Sequence, residues 1–197
     1  MGRKSDAPAR LKVTARRLFH KKGYQTVGVA ELCSEAEINK GSFYHFFSSK
    51  SHLLIEILSD AWDETGILQS WEQAPPPTPR AELRRYLREL FAYHYADWEK
   101  SGQVNGSFLG NLAGELNSHD ADVVDEVRRL FARQRSAFAT MLAAGYSVSE
   151  RKAAYVGTTA DSLVACIHGL LILARVRNDL SVLPASEAAL LRLTSRT

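Results

Sequence analysis

Apolar residues recur along this chain at intervals of three and four, with no convincing strict alternation. That spacing predicts helices rather than strands. In residues 9–23, ARLKVTARRLFHKKG, Leu11, Ala15, Leu18 and Phe19 share one face and Lys12, Arg16 and Arg17 the other. Lys21 and Lys22 fall at the C-terminal end, where the helix dipole favours cations, and Gly23 is a natural stop. Residues 27–36 predict a short second helix with Val29, Leu32 and Cys33 on one side, and residues 38–46 a third. Ser48 and Ser49 are N-cap candidates for a longer amphipathic helix over 49–72. The stretch QAPPPTPRAE, residues 73–82, then breaks the pattern, because its prolines cannot continue a helix. Thr78 and Pro79 read as the N-cap and first residue of a helix over 79–100 that stops at Ser101-Gly102. Further helices are expected at 106–117, 120–145 and 150–179, with Ser149 capping the last, and a terminal amphipathic one after Pro184. The expected fold is all-α, with no internal repeat.

Composition narrows the class without naming it. The 197 residues, 45% hydrophobic and 24% charged, are enough for one or two domains with a real core. No run of ~18 or more apolar residues stands out, so no transmembrane helix is expected. The basic opening MGRKSDAPARLK lacks the apolar stretch of a secretory signal. Cys33 and Cys166 are the only cysteines and lie in no CxxC or CxxH context. That argues for a reducing, cytoplasmic setting without disulfide, metal or cofactor. Neither has a basic sequence neighbour that would lower a thiol pKa, so no redox role is expected.

Charge changes the picture more. Residues 1–53 carry ten Lys/Arg against four Asp/Glu, a local net charge of +6, while the rest of the chain is net acidic. A basic end on an acidic remainder points to a polyanion partner, or to a basic tail that serves solubility alone. Within that end lies EINKGSFYHFFSSK, residues 37–50, which mixes Asn39, Lys40, Ser42 and His45 with four aromatics. Three short helices followed by a capped fourth match a helix-turn-helix, whose second helix enters the major groove. Leu11, Phe19, Leu32, Ile38, Phe43 and Phe47 would form its small core, leaving Lys40, Ser42, Tyr44 and His45 outward. Gly41 would let the backbone approach a phosphate. Lys50 opposes the dipole of its own helix N-terminus, a cost that a phosphate contact would offset. Tyr44 as a core aromatic and His45 as a plain surface residue are the bland alternatives. Arg3, Lys4 and Arg10 form either a DNA-contacting arm or a loose tail.

The segment GYQTVGVAELCSEAEINKGSFYHFFSSKSHLL resembles the DNA-binding signature of the TetR/AcrR family of transcriptional repressors. The resemblance rests on Gly23-Tyr24, Val29, Leu32, Ile38, the run Lys40-Gly41-Ser42-Phe43-Tyr44-His45, Phe47 and Lys50-Ser51. It implies DNA contact by Asn39, Lys40, Gly41, Ser42, Tyr44, His45 and Lys50, together with the start of the second helix. Two positions depart from the family pattern. Gly28 stands where Thr or Ser is usual, so that Thr26 or the backbone would substitute. Glu37 stands where Gly is usual, and a side chain there pays a cost at positive φ.

The resemblance also implies a division into a helix-turn-helix DNA-binding domain, 1–53, and an effector-binding and dimerisation domain, 54–197. The run ADSLVACIHGLLILAR, residues 160–175, is apolar nearly all round and must be covered on several sides. The helix at 150–179 and the terminal helix are expected to pair with a second copy, setting two recognition helices on a pseudo-palindrome. The effector is a small molecule, and its candidate lining is Trp62, Phe91, Tyr95, Trp98, Phe108, Asn111, Phe138, Met141 and His168. Most of these are equally explained as core. Asn111 and His168 are polar groups on apolar faces, where either a ligand or a backbone carbonyl would satisfy them.

The function implied is a ligand-responsive repressor, released from a palindromic operator when the effector shifts the 49–72 helix. No GxSxG, HExxH or GxxxxGK pattern is present, so no enzyme is expected. The acids Asp120, Asp122 and Asp125 beside His119 read as a helix N-terminus. The alternative is a non-specific architectural DNA-binding protein, which leaves the long apolar C-terminal part without a purpose.

Overall fold

A computed structural model describes residues 6–74, 76, 78–116, 120–144 and 150–194. Arg3, Lys4, His119 and Ser149 lie outside the described residues. Among those described there are ten helices and no strand, an all-α fold as the periodicity predicts.

The first three helices follow the sequence closely. Helix α1, Ala7–Lys22, buries Leu11, Ala15, Leu18 and Phe19, the expected face. It ends at Gly23, whose φ of 88° suits glycine alone. Helices α2, Val29–Glu35, and α3, Lys40–Phe46, are joined by a turn in which Glu37 holds φ 53°. Helix α4 begins at Lys50, and Ser49 caps it by accepting a hydrogen bond from His52 N–H at 3.0 Å.

The single helix expected over 49–72 is two. Helix α4, Lys50–Ala61, stops, and α5, Ile67–Gln73, starts anew. Asp63 causes the restart. Its Oδ1 accepts from the Thr65 N–H at 3.1 Å and the Thr65 hydroxyl at 2.8 Å, and its Oδ2 accepts from Gln69 N–H at 2.9 Å. Such local side-chain bonds compete with helix continuation. Helix α6, Pro79–Ser101, opens on its proline and closes at Gly102, as predicted. Helices α7, Phe108–Glu115, α8, Ala121–Ala143, and α9, Glu150–Arg177, follow. The terminal helix α10, Val182–Arg192, starts before Pro184 rather than after it. A proline in the first turn forfeits only an N–H that has no intrahelical partner there.

The chain forms two compact units. The first comprises Met1–Ala61 and Phe108–Arg128, the second Trp62–Ser107 and Arg129–Thr197. In the first, Leu11, Leu32, Phe43, Phe47 and Leu53 are fully buried and Ile38 half-buried. Each such side chain contributes about 1.5–3 kcal/mol through burial. In the second, Trp71, Tyr86 and Phe138 pack as a triangle of rings 5.4–5.9 Å apart. A separate cluster joins Val104, Ala174 and Leu180 to Phe91 and Trp98.

One helical stretch, Tyr155–Arg177, is long and apolar enough to cross a membrane by length and composition, with mean hydropathy 1.6, where none was expected. Its apolar residues are interspersed with small and polar ones, so no single run announces it. Asp161 on this stretch is ion-paired with Arg135 at 2.7 Å.

Candidate functional site

The outer face of α3 is built from its cap. Asn39 Oδ1 accepts from Ser42 N–H at 2.7 Å and so fixes the helix start. A Cβ on Gly41 would come within 3.3 Å of that same oxygen. Phe43 is turned into the core, which directs Lys40, Gly41, Tyr44 and His45 outward. Tyr44 is 58% exposed, with its ring against the edge of Phe43 at 5.1 Å. It is therefore no core aromatic. His45 is exposed and packs edgewise on Phe46 at 5.0 Å. Ser42 is half-buried.

The segment between α1 and α2 is pinned from two sides. Lys50 Nζ donates to the carbonyls of Tyr24 and Val27 at 3.0 and 3.1 Å, and stands 4.2 Å from the centre of the Tyr24 ring. These bonds account for a lysine in the first turn of α4. Burial pushes its pKa down, while the charges of Asp120 and Glu115 push it up in part. On the other side Glu115, from α7, accepts from Tyr24 N–H at 2.7 Å and from Gln25 N–H at 3.5 Å. A Cβ at Gly23 would lie 2.9 Å from that carboxylate. Gln25 also donates to Asp120 at 3.0 Å. Tyr24 is buried, and burial together with Asp120 pushes its phenol up to about 12. Glu115 and Asp120 were not singled out as partners of this loop, and 91 residues separate Glu115 from Tyr24. Thr26 is exposed, and Gly28 is the N-cap of α2 with no side chain to satisfy an N–H.

Much of the basic stripe is neutralised within the chain. Lys12 pairs with Glu56 at 2.8 Å and Asp60 at 3.0 Å, Arg17 with Glu35 at 2.7 Å, and Lys22 with Glu31 at 2.5 Å. Lys40 has no ion pair among the described residues, and it sits at the start of α3. Lys40 thus adds an unpaired positive charge beside the outward side chains of α3. Burial pushes the Cys33 thiol up, against a smaller opposing effect of Lys40.

The nine residues expected around an effector are distributed over both units. Phe108 belongs to the first unit, where its ring meets His20 at 5.5 Å and the Arg16 guanidinium at 5.9 Å. Asn111 is half-buried on the same helix. Phe91, Tyr95 and Trp98 form a ladder along α6, with centroids 5.8 and 5.6 Å apart. Trp62, Phe138 and Met141 are buried in the second unit.

His168 has an unusual partner. Gln134 Nε2 donates to the Trp62 carbonyl at 3.1 Å, so its Oε1 is the acceptor for His168 Nε2 at 2.9 Å. A side-chain amide, not a backbone carbonyl, satisfies this histidine, and the bond fixes the proton on Nε2. Nδ1 is then an acceptor, buried and without a hydrogen-bond partner. Burial pushes the imidazole down to about 4. The Arg133 guanidinium lies 3.8 Å over the Trp62 ring and forms a two-bond fork with Glu72, both at 2.8 Å. Among the described residues no cluster of three or more His, Cys, Asp or Glu could hold a metal ion.

Comparison with known proteins places this arrangement. Residues 13–57 match the family model for bacterial regulatory proteins of the tetR family. An uncharacterised helix-turn-helix-type transcriptional regulator in the lacX 3′ region of Lactococcus lactis subsp. lactis is 29% identical over 177 residues, 86% of this chain and 83% of the relative. The transcriptional repressor DhaR of Mycobacterium sp. is 27% identical over 167 residues, 82% of this chain and 79% of DhaR. The crystal structure of a TetR transcriptional regulator from Legionella pneumophila superposes with a TM-score of 0.79 at 17% identity, covering 99% of this chain and 100% of that one. An outward-facing α3, a tetR-family signature over residues 13–57 and a fold shared along the whole length lead to one conclusion: the chain carries a TetR-family DNA-binding segment and is similar throughout to transcriptional regulators of that family.

Proposed function

We propose that this regulator is a cytoplasmic repressor that binds a palindromic operator as a homodimer and leaves it when a small molecule binds. The observation that carries the reading is the outer face of α3. Lys40, Tyr44 and His45 project from a helix whose opposite side is fixed in the core by Phe43. Lys40 supplies a phosphate contact or a guanine contact, Tyr44 and His45 reach base edges or phosphates, and Gly41 and Ser42 allow the backbone to approach. Asn39 acts as the cap that orients the helix. Lys50, with two of its three donors on loop carbonyls, retains one for a phosphate. Thr26 and Gly28 stand at the start of α2, where the backbone N–H groups are open to a phosphate. The DNA-binding part is residues 1–53 and the effector and dimerisation part 54–197. Internal pairing of Lys12, Arg17 and Lys22 withdraws three cations from non-specific phosphate contact, which favours sequence-specific over architectural binding.

For the partner copy, the support is the apolar face of α9. Tyr155, Ile172, Leu173 and Val176 are exposed there, the last at 78%. A second copy covering them would form the helical interface that two half-sites require. For the effector, the support is His168, linked through Gln134 to the Trp62 carbonyl and packed on the Phe131 ring, its Nδ1 ready to accept a hydrogen bond from a ligand. Effector binding would alter operator affinity by about 5–150-fold, the range of a coupling of 1–3 kcal/mol.

Fluorescence anisotropy on the DNA upstream of its own gene, against scrambled DNA at about 150 mM salt, tests the reading. Tight binding to the first alone is expected. Lys40→Ala should weaken it and reduce the salt slope by about one. Tyr44→Ala should weaken it with little change in that slope. Equal, weak binding to both DNAs, unaltered by either substitution, would return the architectural alternative.

A further inference from the structure

A cavity of about 110 Å³ opens in the second unit between α6, α9 and α10. Leu90, Phe91, Ile167, Leu170 and Leu183 make its wall apolar. Of the effector candidates only Phe91 belongs to it. Two charged residues complete the lining, Arg88 and Glu187. Their situations differ. Glu187 is bound to Arg84, Oε1 accepting from Nε at 2.8 Å. Arg88 is exposed and has no ion pair or hydrogen bond among the described residues. The rim therefore carries a net positive charge, and its one uncommitted polar group is a planar donor fork.

Size and chemistry together select a ligand. An apolar cavity of about 150 Å³ stays dry and admits a benzene-sized guest, so this one suits an aliphatic tail of roughly five or six carbons. Filling it gains dispersion contacts with the surrounding apolar side chains. A guanidinium matches a carboxylate through two parallel hydrogen bonds. With Glu187 close by and no second free cation in the lining, a doubly charged phosphate is poorly matched, and an amine would meet Arg88 as a like charge. We propose that this cavity binds a small aliphatic monocarboxylate, tail inward among the leucines and carboxylate on Arg88. This is a ligand site beyond the effector reading centred on His168, and it makes no use of the DNA-binding surface.

Calorimetry and thermal melts of the full chain with hexanoate, hexan-1-ol and hexylamine at pH 7.5 test it without DNA, so that the repressor reading stands or falls separately. Hexanoate should bind at one site per chain and raise the melting temperature, more tightly than hexan-1-ol, with no response to hexylamine. Arg88→Gln should weaken hexanoate tenfold or more and leave hexan-1-ol unchanged, which also reports an intact cavity. Arg88→Lys should fall between. Leu87→Phe, which fills the cavity, should abolish both responses. No response to hexanoate, or hexanoate binding untouched by Arg88→Gln, would overturn the proposal, as would hexan-1-ol or hexylamine binding as tightly as hexanoate.

Discussion

Glu37 holds φ 53° in the turn between α2 and α3, a left-handed conformation that costs an L side chain roughly 1–2 kcal/mol. The chain tolerates it because α2 and α3 are anchored on both sides, by Leu32 and by Phe43. Glu37→Gly removes the Cβ cost but frees the unfolded chain, so a net stabilisation of about 0.5–1 kcal/mol is expected. A higher urea midpoint with unchanged slope would register it. His168 sets a second expectation, for pH. Its folded pKa of about 4 lies below the ordinary histidine value of 6.5, so the unfolded chain binds the proton more readily. The stability tied to the neutral imidazole is complete above 6.5 and is lost as pH falls through that value toward 4. The loss amounts to about 3 kcal/mol at most. Urea midpoints between pH 7.5 and 4.5 should fall less steeply in His168→Gln than in the parent chain; parallel curves would contradict this assignment.

At the scale of elements, α7 is the piece whose role the pattern of residues hid. Helical periodicity and the Gly stop made α1 legible, and the crowded aromatics of 43–47 made α3 legible down to its outward side chains. Phe108 packs against His20 and Arg16, and no local pattern encodes that. Glu115 was invisible for the same reason, since its partners are two amides 90 and 91 residues earlier. The break between α4 and α5 escaped because Ile67, Leu68 and Trp71 continue the apolar rhythm while Asp63 interrupts the backbone. If Glu115 holds the loop before α2, Glu115→Ala should destabilise the chain by about 1–3 kcal/mol, the cost of stranding a part-buried N–H. Amide exchange at Tyr24 should accelerate before global unfolding, and an unaltered rate would mean that Lys50 suffices alone.

For the whole molecule, net charge and hydropathy gave the right class, but they misjudged two distributions. Three of the cations in residues 1–53, Lys12, Arg17 and Lys22, are paired with acids inside the chain, Glu31 and Glu35 within that same stretch and Glu56 and Asp60 in α4. The apolar residues of α9 are divided between a buried side and an exposed one. Composition counts charges and apolar groups without saying which are already matched. The order of the chain carries a consequence of its own. The first unit draws on Met1–Ala61 and again on Phe108–Arg128, with the second unit's opening segment, Trp62–Ser107, between them in the chain. On the ribosome, the three helices of the head emerge early and can collapse on Phe43 and Phe47. Tyr24 and Gln25 nevertheless wait for Glu115, so the head reaches its final form only after the polypeptide has nearly doubled in length. A nascent chain stalled before that point presents α3 on a loosened frame, and the timing of synthesis thereby delays completion of the head until the second unit is well under way.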